Sequence, residues 1–311
     1  MPISPITIDT GYIRPQLCAA YLLLEQGRAA LIDCGTATCA GRVLAAIDAA
    51  GVAREAVDWL LLTHVHLDHA GAAGPLMQAL PNARLVVHPR GAAHMIDPTR
   101  LIAGARAVYG EMMFERDHGG MLPVDAARVD IANDGHVVDL AGRPLLCVDT
   151  PGHASHHNCI WDARGQQWLT GDTFGLSYRE FDTAKGAFIL PTTSPVQFDP
   201  DALKASITRL LSYQPRVIHL THYAQVTECE RLGADLIEQI DAMVALARQA
   251  HGTPERHHAL VAALTALYTE RARAHGVEEA EHKVRTLLAG DIELNAQGLA
   301  VWLDRQDRVR A

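Results

Sequence analysis

Residues 63–71 read THVHLDHAG, directly after the apolar run DWLLL at 58–62. His64, His66, Asp68 and His69 fall within six positions, where a buried strand is expected to end. Along an extended segment the side chains of 64, 66 and 68 share a face. The adjacent pair Asp68 and His69 can serve both sides of a turn. Ligand sites in α/β structures lie beyond the carboxyl ends of strands. Imidazole nitrogens and carboxylate oxygens suit zinc and other first-row metals. One tetrahedral ion takes about four ligands. Four candidates here, with more downstream, predict two ions.

The downstream candidates are His153 in DTPGHASHH (149–157), Asp172 in LTGDTF (169–174) and His222 in HLTHYA (219–224). Each is a polar group closing an apolar run. A single buried histidine is most often a hydrogen-bonded core residue, so the weight lies in the ordered set.

The surrounding chain alternates strand and helix signals. AAYLLLEQGRAALIDCG (19–35) reads as a hairpin around Gln26-Gly27, and AGRVLAAIDAAG (40–51) as a helix stopped by Gly51. ARLVVHP, HVVDL, RPLLCVD, NCIWDA, QQWLT and VIHLTHY read as strands, with a helix near Asp199 to Ser212. Residues 98–117, PTRLIAGARAVYGEMMFERD, predict one helix inside an insertion spanning about 90–132. Its Met112, Met113, Phe114 and Met121 suit either an adaptable pocket wall or core packing. Phe174, Phe181 and Phe198 pose the same choice. Beyond 228 the pattern is helical, with Leu236, Ile240, Met243 and Ala247 on one face and a last helix starting at Asn295 and anchored by Trp302. The expected division is a metal-binding domain over 1–228 and a C-terminal helical domain over 229–311.

Composition narrows the classes. With 311 residues, 49% apolar and 20% charged, the chain can bury a sizeable core. A net charge of −9 with few lysines argues against nucleic acid as a partner. The six cysteines form no C-x-x-C pair and read as buried free thiols in a reducing compartment. MPISPITIDTGYI lacks the pattern of a signal peptide, and no apolar run reaches the ~18 residues of a membrane span, so a cytoplasmic location without membrane contact is expected. Of the 17 histidines, His251, His257, His258, His275 and His282 read as solvated face residues.

H-x-H-x-D-H at 64–69, the TPGH histidine His153, the GDT aspartate Asp172, the THY histidine His222 and the early strand-end aspartate Asp33 in LIDCG together resemble the metallo-β-lactamase superfamily, over about residues 5–225. The resemblance implies an α/β fold, an αββα sandwich of two mixed sheets, carrying the helical insertion and the C-terminal helical extension. It implies one ion on His64, His66 and His153, a second on Asp68, His69 and His222, and Asp172 bridging them. Two divalent ions follow, zinc first, with iron or manganese as alternatives. Members with this ligand set include glyoxalase-II-like thioesterases and lactonases, so the leading expectation is a hydrolase that cleaves an ester, thioester or lactone with a metal-bound hydroxide. Asp68 can shuttle a proton to the leaving atom. Tyr178 and Tyr223 are candidates for oxyanion stabilisation, although packing as wall residues is the commoner role for such tyrosines. Thr63, Asp33 and His157 are placed to orient ligand histidines.

Two other classes compete. One is a mononuclear-iron oxygenase resembling persulfide dioxygenases, with iron on His64, His153 and Asp172; the arginine-rich stretch of those enzymes is absent after Asp172. The other is an inactive metal-binding module, against which the retained Asp172 weighs. The expected partner is a small-molecule substrate. The C-terminal helices read either as a cap over the site or as a homodimer interface.

Overall fold

The structure, a computed structural model, describes residues 4–193 and 195–310. Its twelve strands are β1 (Ile6–Asp9), β2 (Ala19–Glu25), β3 (Arg28–Ile32), β4 (Val57–Leu61), β5 (Arg84–Val87), β6 (Val129–Ile131), β7 (Val137–Leu140), β8 (Arg143–Asp149), β9 (Asn158–Asp162), β10 (Gln167–Leu169), β11 (Val217–Leu220) and β12 (Ala224–Val226). They form two six-stranded sheets, ordered β1-β2-β3-β4-β5-β6 and β12-β11-β10-β9-β8-β7. Both sheets are mixed: β3 to β6 run parallel, β1 to β3 antiparallel, and in the second sheet β7 to β10 run antiparallel while β10 and β11 are parallel. This is the α/β sandwich expected from the sequence, with helical insertions and a helical extension.

The chain divides into two compact units. The first runs to Asp149 and takes in His156–Gly171 and Pro215–Gln225; the second holds Thr150–Ser155, Asp172–Gln214 and the chain from Val226 onward.

In the first unit, β2 is buried almost throughout, as a continuous apolar run requires when both faces are covered, and β9 is buried throughout, its terminal Asn158 and Asp162 included. The β2–β3 hairpin pairs Glu25 with Arg28 and turns on Gln26 and Gly27, both at positive φ, which a two-residue turn of this hand demands. Between the sheets the Tyr21 hydroxyl donates to the carbonyl of Leu220, and the Trp59 indole to that of Asp139 at 3.0 Å. Helices α1 (Ala40–Ala49), α2 (Leu67–Ala70), α3 (Ala73–Ala79) and α4 (Pro89–Ile96) belong to this unit. The insertion departs from the sequence expectation. The helix expected over 98–117 is broken into α5 (Thr99–Tyr109), a single turn α6 (Glu111–Met113) and a wide turn at Phe114–His118. Gly110 lies at φ 78° and ψ 156°, outside any helical region, and ends the first segment. Phe114 and Met121 are core residues, whereas Met112 is 84% exposed.

The second unit holds α7 (Pro200–Leu211), α8 (Cys229–Ala250), α9 (Arg256–His275), α10 (Ala280–Leu287) and α11 (Ala289–Arg310). Asp199 caps α7 by accepting from the main-chain nitrogens of Asp201 and Ala202. Leu236, Ile240, Met243 and Ala247 of α8 are buried, as helical spacing places them; of Leu260, Leu264, Leu267 and Tyr268, which the same spacing puts on one face of α9, all are buried except the half-buried Leu267. The last helix starts at Ala289, not at Asn295. Asn295 is buried inside it: its side-chain oxygen accepts from Thr193 N at 2.8 Å and its amide donates to the Tyr268 hydroxyl at 3.0 Å and the Pro191 carbonyl at 3.2 Å. The polar side chain that marks a helix start in the sequence serves an interior tie. Phe174, Phe181 and Phe198 are fully buried core residues. All six cysteines are buried free thiols, and no helix among the described residues is long and apolar enough to cross a membrane.

Candidate metal centre

Five of the seven candidate ligands come together in the first unit. Strand β4 ends at Leu61, the chain bends at Thr63, and α2, entered from an extended His66, then carries Asp68 and His69. Gly71 fixes the end of that turn, because a Cβ there would lie 2.5 Å from the Leu67 carbonyl oxygen and 2.8 Å from Thr36 Cα. His64 and His69 are fully buried; His66 and Asp68 are half-buried. His64 Nε2 lies 2.8 Å from His66 Nδ1. Asp68 Oδ2 lies 3.3 Å from His222 Nε2 and 3.6 Å from His69 Nε2.

The opposite ring nitrogens explain why these atoms face one another. His69 Nδ1 is 2.8 Å from Asp33 Oδ2, and His222 Nδ1 is 2.8 Å from the Leu17 carbonyl oxygen. Asp33 already accepts from Thr63 N and from the Thr63 and Thr221 hydroxyls, and a main-chain carbonyl only accepts, so both imidazoles place a proton on Nδ1 and present a lone pair at Nε2 when neutral. His64 follows at one remove. The Thr63 hydroxyl donates to Asp33, 2.8 Å from Oδ2, so its oxygen accepts from His64 Nδ1 at 3.1 Å and leaves His64 Nε2 as the lone-pair atom. Asp33 organises this set. Its carboxylate is buried and also accepts from Thr63 N at 2.8 Å and from the Thr221 hydroxyl at 3.1 Å. Asp33 itself sits at φ +53°, a conformation rare for non-glycine residues that Asp tolerates better than most and that recurs at functional sites.

The other two candidates are paired in the second unit. His153 Nε2 lies 3.3 Å from Asp172 Oδ2, and His153 Nδ1 lies 3.3 Å from the Thr192 carbonyl oxygen. Gly152 allows this approach: at φ +129° a Cβ would fall 2.3 Å from Leu203 N and Cα. Both side chains are buried.

Neutral imidazoles of this tautomer turn lone pairs toward carboxylate oxygens or toward another ring nitrogen. Such contacts repel unless a proton or a cation lies between. The donor set therefore fits divalent ions with nitrogen and oxygen ligands.

His157, fully buried, stacks its ring on His64 with centroids 4.7 Å apart. Tyr223, next to His222, is buried and its phenol is pushed up by burial and by Asp9. In the second unit the Tyr178 hydroxyl lies 3.3 Å from Asp291 Oδ1. Three neighbours of Asp68 escaped the sequence reading. Burial and the Asp68 carboxylate push the Cys18 thiol and the Tyr12 phenol up, while burial holds His118 below its ordinary value against the opposing pull of Asp68. The Tyr12 hydroxyl lies 3.4 Å from His118 Nε2. Cys18 sits in an apolar run and Tyr12 and His118 in turns, so only long-range pairing brings them here.

The family model of the metallo-β-lactamase superfamily matches residues 13–222. A metallo-β-lactamase fold-containing protein of Sulfurisphaera tokodaii is 24% identical over 212 residues, 67% of this chain and 73% of the relative. Its crystal structure superposes with a TM-score of 0.63 at 23% identity, covering 78% of this chain and 87% of that one. A metallo-β-lactamase family protein of Thermus thermophilus gives a TM-score of 0.62 at 21% identity over 91% of this chain and 93% of its own. The atrochrysone carboxyl ACP thioesterase of Aspergillus fumigatus is 28% identical over 165 residues, 53% of this chain and 42% of the enzyme.

Proposed function

The chain belongs to the metallo-β-lactamase superfamily, and from that premise we propose a hydrolase that holds two divalent ions and cleaves an ester, thioester or lactone. In this reading His64, His66 and His153 hold one ion, Asp68, His69 and His222 hold the other, and Asp172 joins the two. The observation that carries it is the proton pattern. His69, His153 and His222 have Nδ1 against a protein oxygen and Nε2 turned toward a carboxylate.

When bound, such a pair of ions supplies an acidified water and a Lewis-acid surface at neutral pH. The chain's residues do the rest. Asp33 and Thr63 hold the imidazoles in their ligating tautomers. The half-buried Asp68 carboxylate takes the proton of the attacking water and returns it to the leaving atom. Tyr223 offers a protonated hydroxyl to the developing oxyanion; Tyr178 is the second candidate for that role. The thioesterase relative supports a thioester as the first substrate class to try.

Metal content of protein purified without added metal or chelator tests the reading. About two ions per chain are expected, followed by turnover in a screen of thioesters, lactones and esters. Asp172→Ala should lose both metal pairing and turnover. One iron per chain, with no second ion taken up on titration, defeats the proposal and redirects the work to oxygen consumption with thiol substrates.

A further inference from the structure

We propose that the second ion has a sulfur ligand, Cys18, which no sequence motif signals; the inference rests on the two-ion reading above. One ligand atom each from Cys18, Asp68 and His222 lie within 4.8 Å of one another. Cys18 is fully buried, and its Sγ lies 3.2 Å from the main-chain oxygen of Asp68.

The backbone on both sides of Cys18 is tied down. The Cys18 carbonyl accepts from Thr10 N at 3.1 Å and from the Thr10 hydroxyl at 2.8 Å. Ala19 N donates to the Thr221 carbonyl at 2.8 Å, and the Leu17 carbonyl holds His222 Nδ1. The segment carrying Cys18 is thus fastened to the segment carrying His222, so χ1 is the freedom left to the sulfur.

Buried cysteines are commonly inert filler, and a thiol contact with a protein oxygen is not peculiar to Cys18. Cys34 Sγ bonds the His69 carbonyl, Cys159 Sγ the Thr170 carbonyl and Cys39 Sγ the Thr36 hydroxyl. Among the described residues only Cys18 is grouped with a carboxylate and an imidazole in ligating range.

Ligation breaks the S–H bond, forms a sulfur–metal bond and releases the proton to solvent. Asp68 and the Cys18 thiolate together then neutralise a doubly charged ion. A soft thiolate beside imidazole selects zinc over manganese or iron(II) at this position, which assigns the metal that the nitrogen and oxygen ligands leave open. It also fills a coordination position, so substrate access at the second ion requires either displacement of the sulfur or expansion of the coordination shell.

The test is cobalt(II) substitution of the full chain, read by absorption and by metal analysis. Two cobalt ions with a near-ultraviolet sulfur-to-cobalt charge-transfer band are expected. Cys18→Ser should abolish that band and weaken the second ion by about tenfold or more while the first stays bound. Two cobalt ions without the band in the wild-type chain, or a band that survives in Cys18→Ser, overturns the sulfur ligand and leaves the two-ion reading standing. Fewer than two cobalt ions overturns both. The wild-type spectrum decides without any variant, so a poorly folding Cys18→Ser does not blunt the test.

Discussion

Replacing Asp33 by Asn changes almost nothing in volume and almost everything in proton logic. The carboxylate is buried and receives Thr63 N and the Thr63 hydroxyl at Oδ1, and His69 Nδ1 and the Thr221 hydroxyl at Oδ2. The Thr63 hydroxyl also lies 2.8 Å from Oδ2. An asparagine has one acceptor oxygen. Thr63 N cannot rotate away, so that oxygen stays with it and the amide NH₂ meets His69 Nδ1. The imidazole then accepts there and moves its proton to Nε2, the atom that faces Asp68. Binding an ion through Nε2 now requires that proton to be expelled and the Nδ1 contact to be lost. Loss of an outer partner of a ligating histidine costs about 10–100-fold in metal affinity, or about 1.4–2.7 kcal/mol. The metal-free chain loses one charge-assisted bond from His69 and one from Thr221, which together weaken it by about 2–4 kcal/mol, allowing for incomplete additivity. Competition with a chromophoric chelator measures the first quantity, and urea unfolding with the chelator in excess measures the second. An Asp33→Asn chain that binds both ions within about twofold of wild type, well inside the expected loss, would show that Asp33 does not set the tautomer.

Three further outcomes rest on the packing around these groups. Gly171→Ala should weaken the first ion about tenfold and destabilise the fold by about 1–3 kcal/mol: at φ +50° its Cβ would fall 2.5 Å from Thr63 Oγ1 and 2.8 Å from His157 Nε2, the two groups that seat His64. Unchanged metal titrations would remove that explanation. His219 is held down to about 4 by burial, against an ordinary 6.5. The unfolded chain therefore takes the proton first, and its contribution to stability is whole above pH ~6.5 and lost as pH falls toward about 4, by about 3 kcal/mol. Urea midpoints across that window should fall more steeply for wild type than for His219→Gln; parallel curves would refute the assignment. Arg143→Met leaves the buried Asp162 carboxylate with only Gln167 Nε2 at 2.6 Å and Arg164 N at 3.2 Å, and should cost about 3–5 kcal/mol without changing metal content. A loss below about 1 kcal/mol, the range of an exposed pair, would contradict it.

How much was legible depended on whether the signal was local. The β2–β3 turn and the helix over 40–49 are written in short periodic stretches, and the structure has them where the sequence put them. Strand β1 was missed, because ITID is too short and half-exposed to show a period. The broken helix at Gly110 was overrun because the apolar spacing continues on both sides while one residue leaves helical space. Asn295 reads as a helix start because asparagine favours that position, yet its partners, Thr193 and Tyr268, lie far away in sequence. The candidate ligands were legible because each closes an apolar run. Asp33 was legible for the same reason, but its role as the shared acceptor for Thr63, His69 and Thr221 depends on segments up to 188 residues apart. Cys18 had no such mark.

The second sheet shows why residue type alone could not have separated chemistry from support. Strand β8 begins at Arg143 and ends at Asp149, after which the chain goes on to His153; β10 begins at Gln167 and ends at Leu169, two residues before Gly171. Strand β9 runs the other way, from Asn158 beside His157 to Asp162. The leading ends of β8 and β10 and the trailing end of β9 therefore gather Arg143, Gln167 and Asp162, where the guanidinium and the amide both donate to the carboxylate and His219 Nε2 meets Gln167 Oε1 at 3.0 Å. That cluster is as buried and as polar as the histidine cluster. The two differ in how their protons are placed. At Asp162 the carboxylate meets donors from Arg143, Gln167 and Arg164, so its charge is answered within the chain and removing a donor should cost stability. Around Asp68 the Nδ1 hydrogens of His69 and His222 are turned to Asp33 and Leu17, and their Nε2 atoms face the Asp68 carboxylate, an arrangement that suits a cation. That difference in where the donor hydrogens point, and not the residue types, distinguishes the two clusters, and long-range pairing alone sets it.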